Sequence, residues 1–152
     1  MDFIVESAMQ AMPEEAGFDM GQANIKVIGV GGGGGNMVGW LYKKGIKGAE
    51  ILAVNTDQQH LNITGADHKF LIGKDCTRGL GAGGYPQKGA EAAQESMSQI
   101  KDCLKKSDMV FVCAGMGGGT GTGAAPVVAQ VSKDLGAIVI GTVTMPFNIE
   151  RA

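Results

Sequence analysis

The sequence predicts a doubly wound α/β domain, in which helices cover both faces of a mostly parallel sheet. Short apolar runs alternate with segments of helical periodicity from Asn24 onwards. Strands that are apolar throughout, rather than at every second position, are typical of parallel sheets buried on both faces. A chain of 152 residues is also long enough to form one such domain with its own core.

The elements can be placed in chain order. Each apolar run is taken as a strand, and each stretch with apolar residues three or four apart is taken as a helix. The predicted strands are residues 25–30, 50–55, 69–72, 108–114 and 137–144. The predicted helices are residues 36–44, 58–63, 89–106 and 122–135, with Gly45 placed to end the first of them. Trp40, in the middle of the first helix, is expected to pack against the core.

The two ends of the chain differ from this alternating pattern. Residues 1–23 are rich in methionine and acidic, with Ile4, Ala8 and Met12 at helical spacing, and they predict an N-terminal extension that is helical in part. Residues 24–152 form the predicted domain. After Thr144 the chain turns through Pro146, where a further helix and strand would continue a doubly wound sheet. We therefore expect this domain to be incomplete at its C-terminal end.

Composition excludes several classes of function. Acidic and basic side chains are mixed along the chain and sum to a net charge of -2, which leaves no basic patch for nucleic acid or acidic lipid. No apolar run reaches the roughly 20 residues of a membrane-spanning helix, and the start lacks a secretory signal pattern. Three widely spaced cysteines and two histidines give neither a disulfide framework nor a metal site. We expect a cytoplasmic protein without direct membrane insertion.

Glycine is the unusual component, at 26 of 152 residues against about 7% in average proteins. Many of these glycines fall in three clusters, at residues 31–35, 79–84 and 115–123. The first and third clusters follow predicted strands, at the edge where open parallel sheets bind ligands. Free N–H groups at a helix N-terminus attract phosphate, and glycine lets an oxygen approach the backbone. The sequence therefore predicts a phosphate site, with the Thr120 and Thr122 hydroxyls as donors or helix caps.

The first cluster also fits a dinucleotide-binding motif. Gly29 to Gly34 satisfies the spacing G-x-G-x-x-G after a strand, and Asp57 follows the second strand. This pattern leaves a nicotinamide-dependent (NAD) dehydrogenase domain as the alternative interpretation, although five consecutive glycines match almost any spaced pattern. A Walker loop is excluded as a motif, because the chain contains neither Gly-Lys-Ser nor Gly-Lys-Thr. Neither motif accounts for the glycine cluster at residues 115–123.

That third cluster resembles a family signature. Residues 117–123, Gly-Gly-Gly-Thr-Gly-Thr-Gly, resemble the signature loop of the tubulin/FtsZ superfamily of polymerising GTPases. Other segments resemble the cell-division branch of that superfamily in the family's own order, namely residues 31–36, 54–57, 79–83, 115–126 and 146–148. The resemblance covers residues 24–151. It implies a Rossmann-like GTPase domain, truncated before the family's central helix.

The resemblance also implies which residues contact a guanine nucleotide. Gly32, Gly33, Gly34 and Gly35 would hold the α- and β-phosphates, with Asn36 reaching the guanine side. Ala82, Gly83 and Gly84 would lie near the γ-phosphate. Gly119, Thr120 and Gly121 would form the main phosphate clamp, flanked by Gly118 and Thr122. Thr144 and Pro146 would pass beside the ribose, and Glu150 matches a family position that contacts the sugar or phosphate region. Asn55 and Asp57 can equally be turn residues at the end of a strand.

For activity, the resemblance implies a GTPase that assembles into filaments and a division ring. It implies GTP or GDP as ligand, Mg²⁺ held mainly through phosphates and water, and self-association and division-machinery proteins as partners at the division site. In this family the acidic residues that activate water come from a later loop of a neighbouring subunit. No catalytic residue is therefore expected in this chain, and alone it should bind nucleotide but hydrolyse it negligibly.

Overall fold

The structure, a computed structural model, describes residues 21–150 of the chain, and for Glu150 only the backbone. The predicted N-terminal helix falls within residues 1–20 and lies outside the described residues. Neighbouring strands all pair in parallel, and their order across the sheet is β3-β2-β1-β4-β5. The strands are β1 Ile25–Val30, β2 Ala49–Asn55, β3 His68–Leu71, β4 Met109–Gly115 and β5 Ile138–Thr144. The predicted doubly wound parallel sheet is thus confirmed.

The helices that connect the strands pack on both faces of the sheet. Two of them begin at the carboxyl ends of strands, one directly after β1 and the other within a few residues of the end of β4. The α-helices of the described residues are α1 Gly31–Lys44, α2 Gln58–Ile63, α3 Lys74–Thr77, α4 Pro86–Glu95, α5 Met97–Leu104 and α6 Gly119–Asp134, and a 3₁₀ turn follows at Asn148–Glu150.

Alternate side chains of the central strands enter two separate apolar cores. Ile28 and Leu52 are fully buried on one face, whereas Val27 and Ile51 are buried on the other. The first core is completed by α4, α5 and α6 through Ala92, Ala93, Ile100, Leu104, Ala124, Val128 and Val131. The second is completed by α1 and α2 through Val38 and Leu61. Burial on both faces explains why residues 27–30 of β1 and 51–54 of β2 include no charged or polar side chain.

The strand β5 is an exception to this burial. It lies at one edge of the sheet, and its residues Ile138 and Val143 are 62% and 50% exposed. Within the described residues this strand therefore presents an apolar edge that no other strand covers.

Several elements differ from the sequence prediction. Helix α1 begins at Gly31 rather than residue 36, because the glycine run itself forms its first turn; Gly45 ends it in a left-handed conformation, as expected. The helix predicted over residues 89–106 is broken at Ser96, whose hydroxyl oxygen accepts a hydrogen bond from the N–H of Gly73. Trp40 is 60% exposed, with the Lys44 ammonium over its ring, so its expected packing in the core is wrong.

Many glycines allow backbones to approach each other closely. A Cβ on Gly34 would overlap the carbonyl oxygen of Cys113 on β4, and a Cβ on Gly123 would overlap that of Pro86 on α4. The first and third glycine clusters also touch each other, since a Cβ on Gly31 would stand 2.8 Å from the Gly121 nitrogen. Glycine therefore sets the distance of α1 from the sheet and of α6 from α4.

Candidate functional site

A cleft of about 310 Å³ opens at the carboxyl ends of the central strands. From β1 the chain continues to β2 on one side, whereas β4 pairs with β1 on the other side. This reversal is the switch point at which open α/β sheets bind ligands. The cleft is lined by seven glycines, Gly32, Gly33, Gly81, Gly115, Gly118, Gly119 and Gly121, and by the polar residues Asn55, Asp57, His60 and Thr120.

The N-termini of α1 and α6 both meet this cleft. Their N-cap residues, Val30 and Gly118, make no capping hydrogen bond through a side chain, and neither helix has an acidic residue in its first turn. The first N–H groups of each helix therefore lack side-chain acceptors, and both positive dipole ends converge on one space. An anion with several oxygens, such as a polyphosphate, fits this arrangement of donors.

The carboxylate of Asp57 also lines the cleft, but it serves α2. Its Oδ1 accepts a hydrogen bond from the N–H of His60 at 3.0 Å, which caps the N-terminus of that helix. The side-chain oxygen of Asn55 likewise accepts hydrogen bonds from N–H groups of the turn that follows β2. The turn interpretation of these two residues thus holds, and both also line the cleft.

Six of the sixteen predicted contact residues line the cleft together. They come from the first turns of α1 and α6 and from the loop just before α6. Their backbone N–H groups and the Thr120 hydroxyl are the polar groups that a ligand would meet there. These residues are Gly32, Gly33, Gly118, Gly119, Thr120 and Gly121.

The predicted residues 82–84 and 34–36 lie beside the cleft rather than in its lining. Ala82 and Gly84 pack behind Gly119. A Cβ on Gly119 would stand 2.9 Å from the Ala82 Cβ and 3.1 Å from the Gly84 carbonyl carbon, and Gly83 lies between these two residues. Gly34 lies on the buried face of α1, against β4. Gly35 and Asn36 border a neighbouring groove between α1 and α2.

The remaining predicted residues surround the loop before α6. The Thr122 hydroxyl oxygen accepts a hydrogen bond from the N–H of Gly117 at 3.0 Å, so it holds the loop closed. Pro146 packs against Gly117, and the Thr144 hydroxyl lies near Gly115. Only the backbone of Glu150 is described, so its predicted contact stays a prediction.

The cleft contains residues that sequence reasoning did not assign to it. His60, Gly81 and Gly115 all line it. His60 has one usable signal in the sequence, its position three residues after the capping Asp57, which places it in the first turn of α2. Gly115 is the last residue of β4, and Gly81 belongs to the second glycine cluster.

A buried hydroxyl pair joins the turn after β2 to the start of α6. The Oγ1 atoms of Thr56 and Thr120 lie 2.6 Å apart, and Thr56 is fully buried. Since Thr120 lines the cleft, this bond fixes the position of a hydroxyl that can form a hydrogen bond with a ligand.

We expect Thr56→Val and Thr120→Val each to lower the free energy of unfolding by about 1–2 kcal/mol, because each leaves one hydroxyl without its partner. The double variant should cost less than the sum of the two, with a coupling of about 1 kcal/mol. Urea unfolding measures all three values, and Thr56→Ser, which keeps the hydroxyl, is the control. Strict additivity of the two single effects would show that the pair contributes nothing.

Burial raises the pKa of the Cys113 thiol, on β4 beneath α1. This group is therefore neutral near pH 7 and places no charge behind the first glycine cluster.

Residues 21–150 contain no group of three or more His, Cys, Asp or Glu side chains able to hold a metal ion. Over that same range, none of the helices combines the length and apolarity that crossing a membrane requires.

Comparison with known proteins agrees with this geometry. Residues 24–152 match the family model described as Tubulin/FtsZ family, GTPase domain. The chain is 58% identical over 134 residues to cell division protein FtsZ 2 of Methanocaldococcus jannaschii, which covers 88% of this chain and 35% of that protein. It therefore spans about a third of the length of the curated relatives it matches.

Two solved structures are similar to most of this chain. An empty FtsZ dimer of M. jannaschii superposes with a TM-score of 0.83 at 49% identity, over 98% of this chain and 40% of that one. The GDP-bound monomer of CetZ1 from Haloferax volcanii superposes with a TM-score of 0.77 at 30% identity, over 85% of this chain and 43% of that one. None of these matches supports the dehydrogenase alternative. The family match over residues 24–152, together with these relatives, shows that the chain belongs to the tubulin/FtsZ family.

Proposed function

We propose that this chain is the guanine nucleotide-binding part of a self-assembling GTPase that acts in cell division. The observation that carries the proposal is the meeting of two helix N-termini without side-chain caps at the switch point of the sheet. The tubulin/FtsZ family match favours GTP and GDP as the occupants, and the GDP-bound CetZ1 structure has a similar fold.

In this proposal the phosphates lie between the first and third glycine clusters, residues 31–35 and 115–123. The N–H groups of Gly32 and Gly33 face them from α1, and those of Gly118 and Gly119 face them from α6. Each hydrogen bond to a charged phosphate contributes about 1.5–3 kcal/mol, so several such bonds can hold the nucleotide with little help from cationic side chains. Residues 82–84 lie behind Gly119, a position that suits them to the far end of the phosphate chain.

Magnesium would bind through the nucleotide rather than through a cage of side chains. Mg²⁺ commonly keeps several waters and binds substrate phosphates with one or two carboxylates. The one carboxylate in the cleft lining, Asp57, is already a helix cap, and the described residues contain no metal-binding cluster. When bound, the ion would neutralise developing charge on the phosphates.

Hydrolysis by this chain alone is expected to be negligible. A γ-phosphate needs a positioned water and a group that orients it, and among the described residues the cleft offers no carboxylate free of a structural hydrogen bond. We propose that a second subunit supplies that group when the protein self-associates into filaments in the cytoplasm at the division site, where it meets other division proteins. The dimeric state of a similar FtsZ structure supports this arrangement.

The test of nucleotide binding uses the purified 152-residue chain. We expect denaturation of the protein to release GDP or GTP, which chromatography identifies. Titration should show that GDP binds at least about tenfold more tightly than NADH, a difference of about 1.4 kcal/mol. Tighter binding of NADH would overturn the proposal in favour of a dinucleotide domain. Phosphate release from GTP should stay at the background rate, and turnover like that of an intact polymerising GTPase would contradict the need for a second subunit.

A further inference from the structure

The His60 side chain borders the cleft on the side of α1. It lies in the first turn of α2, between the cleft and the groove beside α1. Its Nε2 is 3.9 Å from the point where a Cβ on Gly32 would stand, and its Cε1 is 3.5 Å from the corresponding point on Gly35. The imidazole therefore faces the first turn of α1, where the backbone donors lack a side-chain cap.

The neighbouring Asn55 amide has a fixed orientation. Its Oδ1 accepts hydrogen bonds from the N–H groups of Thr56 at 2.8 Å and Asp57 at 3.2 Å. Only an oxygen can accept both hydrogen bonds, so these two N–H groups exclude the flipped orientation, in which the NH₂ group would face them. The Nδ2 of Asn55 is consequently the atom that faces His60 Nδ1, at 3.4 Å.

This contact determines where the imidazole carries its proton. The NH₂ group of an asparagine can only donate, so Nδ1 of His60 must accept. A neutral imidazole that accepts at Nδ1 carries its hydrogen on Nε2. Within the described residues the hydrogen bonds of His60 use Nδ1 and the backbone, so its Nε2–H remains available to a ligand.

We propose that His60 donates a hydrogen bond from Nε2–H to a phosphate oxygen of the nucleotide, and that Asn55 positions it by holding the tautomer. The inference rests on the proposed function, because it requires a nucleotide in the cleft. A phosphate is the expected acceptor because Nε2 lies beside Gly32, at the positive end of α1 where anionic oxygens are stabilised. Neither glycine loop supplies a side-chain donor at this point.

Two variants separate the Nε2–H from the rest of the side chain. Glutamine carries an amide N–H at nearly the same distance from the backbone as Nε2, whereas the amide of asparagine reaches only as far as Nδ1. We expect His60→Gln to bind GDP within about threefold of the unchanged chain, and His60→Asn to bind it about tenfold more weakly, as loss of one bond to a charged group implies. His68→Asn, at the exposed start of β3, is the matched control.

Titration calorimetry with GDP and with 2′,3′-dideoxy-GDP identifies the acceptor. The loss in His60→Asn should be equal for the two nucleotides, because both carry the phosphates; a loss confined to GDP would place the contact on the ribose and overturn the phosphate assignment. If the unchanged chain binds GDP and His60→Asn binds it equally well, this inference fails while the proposed function stands. If the unchanged chain does not bind GDP, the proposed function fails.

A measurement on the unchanged chain needs no variant. The sequence contains only two histidines, so long-range ¹H–¹⁵N spectra of untagged protein give two imidazole patterns. We expect the Nε2–H tautomer for His60 before nucleotide is added, and a shift of its Nε2 but not that of His68 on adding GDP. A hydrogen on Nδ1 of the free chain would overturn the positioning role of Asn55.

Discussion

Gly123→Ala is expected to lower the free energy of unfolding by about 3 kcal/mol, the upper part of the range for overpacked sites. The added Cβ would overlap the Pro86 carbonyl oxygen and stand 2.7 Å from the Ala90 nitrogen. Both neighbours are backbone atoms of α4, so no rotamer change can relieve the overlap and the two helices must separate.

Urea unfolding followed by circular dichroism measures this effect. Gly39→Ala is the matched control, since Gly39 is also a buried helical glycine but its Cβ would meet nothing closer than 3.6 Å. Because alanine has the higher helix propensity, the control should be neutral or stabilising by up to about 1 kcal/mol. Equal effects of the two substitutions would contradict the packing role of Gly123.

Gly118→Ala is expected to weaken GDP binding by at least about tenfold without loss of stability. Gly118 has φ -91° and ψ 178°, a conformation that alanine adopts freely, and no atom lies within 4 Å of its Cβ position. The methyl group should therefore leave the free energy of unfolding unchanged. It would, however, enter the space where a phosphate would accept hydrogen bonds from the N–H groups of α6. Loss of even one bond to a charged group corresponds to about tenfold in affinity.

Gly141→Ala provides the control for this second prediction. Gly141 lies on β5 away from the cleft and also has open space at its Cβ position. Titration with GDP should give unchanged affinity for Gly141→Ala, and thermal unfolding should give unchanged midpoints for both variants. Normal GDP affinity in Gly118→Ala would show that phosphate does not lie against this loop.

The regular part of the fold could be predicted from the sequence because its signals are local. Apolar runs marked the five strands to within one or two residues, and Gly45 marked a helix end. The break at Ser96 coincides with a hydrogen bond from the N–H of Gly73, which is distant in sequence and leaves no local signal. Trp40 was misplaced for a similar reason, since helical spacing alone does not show which face meets the sheet.

The position of the candidate site could be predicted, but the separate roles of its glycines could not. In the sequence, Gly32 and Gly34 belong to one uninterrupted run. In the fold, Gly32 faces the cleft, whereas Gly34 lies against the carbonyl of Cys113. Only tertiary structure distinguishes a glycine that admits a ligand from a glycine that admits another backbone. His60 was missed because its position depends on the Asp57 cap and the Asn55 amide together.

The glycine contact between α4 and α6 has a mechanical consequence. Packed helices ordinarily accommodate small shifts through changes of side-chain rotamer, because interdigitated side chains separate their backbones. Here a Cβ on Gly89 would overlap the carbonyl oxygen of Gly119, so the first turn of α6 rests directly on the backbone of α4. A displacement of that turn has no side chain between the two backbones to absorb it. It would act directly on the backbone of α4.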